Sequence, residues 1–90
     1  MKAVRAVVKG RVQGVGYRQA TRVTARALLL NGWVRNTREG TVEVFAQGED
    51  DAVNELVDWL WIGPGGGLVV AVESDVVPFD DQLHDFFIRQ

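Results

Sequence analysis

Gly10-Arg11-Val12-Gln13-Gly14-Val15-Gly16-Tyr17-Arg18 puts three glycines and Arg18 between two stretches of different hydrophobic period. Upstream, Val4, Ala6, Val8, Gly10 and Val12 alternate with Arg5, Val7, Lys9 and Arg11, the signature of a half-buried strand over Val4 to Val12. Downstream, Tyr17, Thr21, Ala25 and Leu28 recur at intervals of four, four and three, which predicts a helix. A strand running into a helix through Gly14 and Gly16 suits an anion cradle. Glycine takes positive φ without steric penalty, so successive backbone N–H groups can turn toward one oxyanion. Arg18 adds a planar, permanently charged fork where the helix N-terminus also favours negative charge.

Working outward, the first helix is expected to run to Asn31-Gly32, because Leu28-Leu29-Leu30 offers nothing to stop it earlier. Trp33 to Asn36 and Thr41 to Gln47 flank the turn-rich Thr37 to Gly40 and read as a hairpin. Gly48-Glu49-Asp50-Asp51 opens a second helix, with acidic residues at its positive end and Val53, Leu56, Val57 and Leu60 as its buried stripe. Gly63 to Gly67 stops that helix, Leu68 to Val76 is a strand, and Asp85 to Arg89 is a last short one. The predicted architecture is a single α+β domain over residues 1–90. It is a ferredoxin-like βαββαβ sandwich in which two helices cover one face of an antiparallel sheet.

Composition sets limits on function. Ninety residues allow one compact core, and 47% apolar with 24% charged residues is ordinary for a globular domain. The longest apolar runs, Ala27 to Leu30 and Leu68 to Val72, are too short to cross a bilayer, and Lys2 and Arg5 interrupt any secretory h-region. With no cysteine there is neither a disulfide framework nor thiolate chemistry, and a cytoplasmic location is expected. Nine of the ten basic residues lie at or before Arg38, and all twelve acidic residues lie at or after Glu39. That polarity reads as a solvated basic face whose field steers an anionic substrate. A nucleic-acid-binding βαββαβ domain would need aromatic residues on its first strand, and Val4 to Val12 has none. No nucleic-acid partner is expected.

A second stretch, Gly32-Trp33-Val34-Arg35-Asn36-Thr37-Arg38-Glu39-Gly40-Thr41-Val42-Glu43, stands downstream of the first, and together the two resemble the acylphosphatase family over nearly the whole chain. The resemblance implies hydrolysis of an acyl phosphate to carboxylate and inorganic phosphate, with no metal and no cofactor. It implies that the backbone of Gln13, Gly14, Val15, Gly16, Tyr17 and Arg18, with the Arg18 side chain, holds the phosphoryl group. It further implies that Asn36 orients the attacking water. Thr37 is expected to hold the Asn36 amide in place. The lone His84 lies away from both motifs and reads as a surface residue, and Glu43 and Glu49 form no metal set with it.

The chain departs from the family's usual pattern in several places, among them Trp61 and Ile62, where charged or polar residues are usual, and Gln90, where an aromatic is frequent. Leu28-Leu29-Leu30 replaces a more usual Leu-Gly-Leu, and Gly63-Pro64-Gly65-Gly66-Gly67-Leu68-Val69 replaces Gly-Pro-Pro-x-Ala-Arg-Val. Trp61 is expected to be partly exposed, either forming with Ile62 and Leu68 one apolar patch for a protein partner or a second copy, or folding back over the small residues of the turn as a local plug. The alternative to an enzyme is thus an acylphosphatase-like scaffold, engineered or otherwise remodelled as a protein-binding module.

Overall fold

A computed structural model describes all residues 1–90. The elements are β1 (Lys2–Arg11), α1 (Tyr17–Ala27), β2 (Asn31–Asn36), β3 (Val42–Gly48), α2 (Asp50–Leu60), β4 (Leu68–Val77) and β5 (Phe86–Ile88). The sheet order is β4-β1-β3-β2-β5. The first four strands pair antiparallel, with Ala6 opposite Val44 and Val34 opposite Val44 on its other side. The short β5 lies parallel to β2, so that Val34 faces Ile88 and the sheet is mixed at this edge.

The alternation of β1 does what its period requires. Val4, Ala6 and Val8 are buried on the helix-covered side with Val34, Val42, Val44, Ala46 and Phe86. Tyr17 and Ala25 of α1, and Val53, Leu56 and Leu60 of α2, close over them. A buried leucine such as Leu56 contributes about 1.5–3 kcal/mol through removal from water, so these few side chains carry most of the attraction between the layers. No helix is long and apolar enough to cross a membrane.

The other face carries the charges. Glu43, nearly buried, accepts from the Nε of Arg5 and from that of Arg35 at 2.6 Å. Lys9 meets Glu73 at 3.1 Å. Two of the four basic residues of β1, Arg5 and Lys9, are therefore paired across the sheet, which weakens the general positive field inferred from their sequence positions. Trp33 stacks on Phe45 with ring centroids 6.1 Å apart, and the Arg89 guanidinium sits 4.5 Å from the Trp33 ring.

α1 ends earlier than its sequence suggests. Leu29 takes φ 60°, Leu29 N–H bonds to Arg26 O, and Leu30 N–H reaches back to Ala25 O at 3.0 Å. These two bonds form a Schellman cap, which turns the chain out of the helix. Buried Leu30 and Ala25 supply the apolar contact that accompanies such a cap. Asn31-Gly32, read from the sequence as the stop, is already the start of β2.

Candidate active site

The loop between β1 and α1 is an open nest. Gly14 and Gly16 have φ 75° and 79°, and Gly16 is the residue that caps α1 without any side-chain bond to the helix amides. None of the N–H groups from Gly14 to Gln19 donates to a backbone carbonyl. The first turn of α1 also lacks acidic residues. Unpaired donors at the positive end of a helix favour negative charge beside them. A Cβ at Gly14 or Gly16 would meet nothing within 4 Å, so the backbone angle is what calls for glycine here.

Arg18 and Asn36 flank the same concavity, of about 130 Å³, with Gln19 and Ile88 completing its wall. Arg18 forms none of the chain's ion pairs, which leaves its fork free for a ligand. Asn36 reaches the site because β2 places its even-numbered residues on the helix side, next to Val34. Its Oδ1 is buried and has no hydrogen-bond partner within the protein. A buried acceptor without a partner loses the full value of its hydration. A water or substrate group held in this concavity would satisfy it.

Two expected residues have roles that only the fold reveals. Tyr17 contributes its N–H to the nest, but its side chain is buried, donates to Leu60 O at 2.6 Å and lies 5.8 Å from the Trp59 ring. Burial pushes its phenol pKa up, so it stays a neutral donor that ties the start of α1 to the end of α2. The Thr37 hydroxyl does not bond to the Asn36 amide as expected. Its partners are the Thr41 hydroxyl at 2.6 Å and, more weakly, Thr41 O at 3.4 Å. It closes the β2–β3 turn rather than orienting Asn36 directly.

The sequence reading placed Gln13 in the nest through its backbone alone. Its side-chain amide donates to Thr37 O and to Thr41 O, each at 2.9 Å, and so joins the nest to the hairpin that carries Asn36. Gln19 and Ile88 were missed as well. The pairing of β5 with β2 brings Ile88 to the site, and nothing in the local sequence signals that pairing. Val15 packs against the core at the base of the loop. His84 is exposed, and nowhere do three His, Cys, Asp or Glu side chains converge in a way that could hold a metal ion. Trp61, outside the buried stripe of α2, is 51% exposed, and Ile62 and Leu68, which flank the glycine-rich turn, are 75% and 55% exposed.

A free amide nest, an uncommitted arginine and a buried amide oxygen share one concavity of an α+β sandwich. The chain belongs to the acylphosphatase family, whose model matches residues 4–88. It is 52% identical over 85 residues to an acylphosphatase of Pseudomonas aeruginosa, covering 94% of this chain and 92% of that relative. Its structure is similar to that of an acylphosphatase from Coxiella burnetii, with a TM-score of 0.94, 39% identity and coverage of 98% of this chain and 92% of the other. An acylphosphatase structure from Bacillus subtilis aligns over the full length of both chains with a TM-score of 0.95 and 32% identity.

Proposed function

We propose that this protein hydrolyses the carboxyl–phosphate bond of small acyl phosphates, with Arg18 and Asn36 dividing the work. The carrying observation is that unpaired N–H groups, an unpaired guanidinium and the partnerless Oδ1 of Asn36 share one small concavity. The phosphoryl oxygens sit in the nest from Gln13 to Arg18, where fixed donors and the Arg18 fork stabilise charge spread over the equatorial oxygens of the transition state. Asn36 Oδ1 accepts a hydrogen bond from a water and aims its lone pair at phosphorus, opposite the leaving carboxylate. The water oxygen forms the new P–O bond as the bond to the acyl oxygen breaks. The carboxylate leaves with that electron pair, and both water protons end on the inorganic phosphate.

No strong base is needed in this scheme. The leaving group is a carboxylate, stable as an anion at neutral pH, so positioning and electrostatics carry the reaction. A second reading, contact with a protein partner or a second copy through Trp61, Ile62 and Leu68, has only their exposure in its favour. A cytoplasmic location accords with the cysteine-free composition.

Steady-state hydrolysis of a synthetic acyl phosphate tests the assignment. Arg18→Ala is expected to lower kcat/KM by about 100- to 1000-fold, and Arg18→Lys to rescue poorly because a point charge does not reproduce a bidentate fork. Asn36→Ala is expected to lower kcat by about 100-fold with little change in KM, since the amide serves water rather than the phosphoryl group. Parental turnover in either alanine variant, at unchanged stability, would overturn its role.

A further inference from the structure

The two halves of the proposed site come from strands that do not touch. The nest follows β1 and Asn36 ends β2, and β3 lies between them in the sheet. Adjacent strands are about 4.8 Å apart, so β1 and β2 are separated by about twice that distance, and no ladder joins them directly: Val42 of β3 pairs with Val8 on one side and with Asn36 on the other, before the nest begins. Gln13 spans the gap. Both of its amide hydrogens are used, one on Thr37 O in the residue after Asn36 and one on Thr41 O at the start of the returning strand, each at 2.9 Å. These are the only side-chain hydrogen bonds between the segments 12–19 and 36–41. Thr41 O also accepts from Thr37 N–H at 2.9 Å, so the amide grips the closing bond of the hairpin.

We infer that Gln13 is a positioning residue: its side-chain amide fixes the distance and angle between the phosphate nest and Asn36, and thereby sets kcat rather than phosphate affinity. This rests on the roles given above to Arg18 and Asn36. The physical basis is that in-line attack tolerates little misplacement, and a shift of about 1 Å in the group that aims the water can cost on the order of 100-fold in rate. The nest amides belong to the Gln13 side of the bridge and keep their geometry when it is cut. The end of the hairpin, held otherwise by its turn and by the pairing of Asn36 with Val42, can then shift against the nest.

The test compares Gln13→Leu, which keeps the volume and loses both donors, with Gln13→Glu, which keeps the length and sets a carboxylate against two carbonyls. Each is measured for kcat, for inhibition by inorganic phosphate and for Tm. Both are expected to lose about 10- to 100-fold in kcat; in the uncharged Gln13→Leu the inhibition constant of phosphate moves less than about twofold, a split that loss of folding alone does not give, whereas the added carboxylate of Gln13→Glu weakens phosphate binding by repulsion. Gln13→Glu is expected to regain kcat relative to Gln13→Leu as pH falls through the carboxyl pKa, because the protonated acid can donate one of the missing bonds. A double-mutant cycle supplies the decisive arm: Gln13→Leu added to Asn36→Ala should produce almost no further loss. If Arg18→Ala and Asn36→Ala are themselves active, the site assignment fails. If those two are impaired but Gln13→Leu is fully active, lowers phosphate affinity in parallel with kcat, or multiplies with Asn36→Ala, the positioning role fails while the site assignment stands.

Discussion

Two glycine-rich loops lie side by side in this molecule, and only one is proposed to hold an anion. The loop carrying Gly14 and Gly16 leads into the N-terminus of α1 and leaves its amides unpaired. The loop from Gly63 to Gly67 leaves the C-terminus of α2, and its first amide is already used, with Gly63 N–H and the preceding Ile62 N–H both donating to Trp59 O at 2.9 Å. One sits at the positive end of a helix and the other at the negative end. The second loop supports the first. A Cβ built on Gly63 would fall 2.7 Å from the Tyr17 ring, and one on Gly67 would fall 3.3 Å from Val15. Glycine content alone therefore does not identify an anion site. What distinguishes the cradle is its set of free N–H groups and the helix end to which they belong.

Inorganic phosphate provides the sharpest contrast between the loops. Titration followed by amide NMR should shift the resonances of Gly14 to Gln19 most, with Gly65 and Gly66 almost still. Shifts that are largest on the second loop would reverse the comparison. Substitution separates the loops in stability. Gly63→Ala combines a left-handed φ of 64° with a clash on a buried ring, and should lower stability by about 2–4 kcal/mol, a fall in Tm of 10 °C or more. Its kcat, measured well below the new Tm, should stay near parental. Gly16→Ala meets no neighbour, so only the left-handed angle opposes it, at about 1–2 kcal/mol. There kcat/KM should fall by about tenfold through misaimed amides. If thermal melts and kinetics put the larger stability loss on Gly16→Ala, or the larger activity loss on Gly63→Ala, the assigned roles are reversed.

The sequence made the glycine turn between β1 and α1 legible because its signal is local. Glycine at 14 and 16, an arginine two residues on and a change of hydrophobic period all fall within one short segment, and the period of β1 correctly sorted Val4, Ala6 and Val8 to the core. Long-range features were not legible. Gln13 reaches carbonyls 24 and 28 residues away, β5 docks parallel on β2, and Glu43 gathers Arg5 and Arg35 from two different strands. No window of residues contains both partners of any such pair except Arg35 and Glu43. Thr37 was misread for a related reason. Its hydroxyl had a choice between Asn36 and Thr41, and the turn geometry decided for Thr41.

The end of α1 was also misread, and it offers a third left-handed position to set beside the two loops. Leu29 adopts φ 60°, close to the 64° of Gly63, although it carries a side chain. The Schellman bonds from Leu29 and Leu30 to Arg26 and Ala25 hold it there. A left-handed angle costs a residue with a Cβ about 1–2 kcal/mol, while glycine brings about 0.5–1 kcal/mol of extra backbone entropy to the unfolded chain. Leu29 is 88% exposed, so little burial is lost by removing its side chain. Leu29→Gly should therefore stabilise the protein by about 0.5–1 kcal/mol, a rise of a few degrees in Tm, without changing kcat or KM. Leu29→Ala keeps the Cβ and should leave Tm nearly where it was. Thermal melts of the two variants separate strain at this residue from loss of its apolar surface: equal shifts in both, or a fall in the glycine variant, would mean that the cap tolerates leucine without strain and that the left-handed angle is no burden at this helix end.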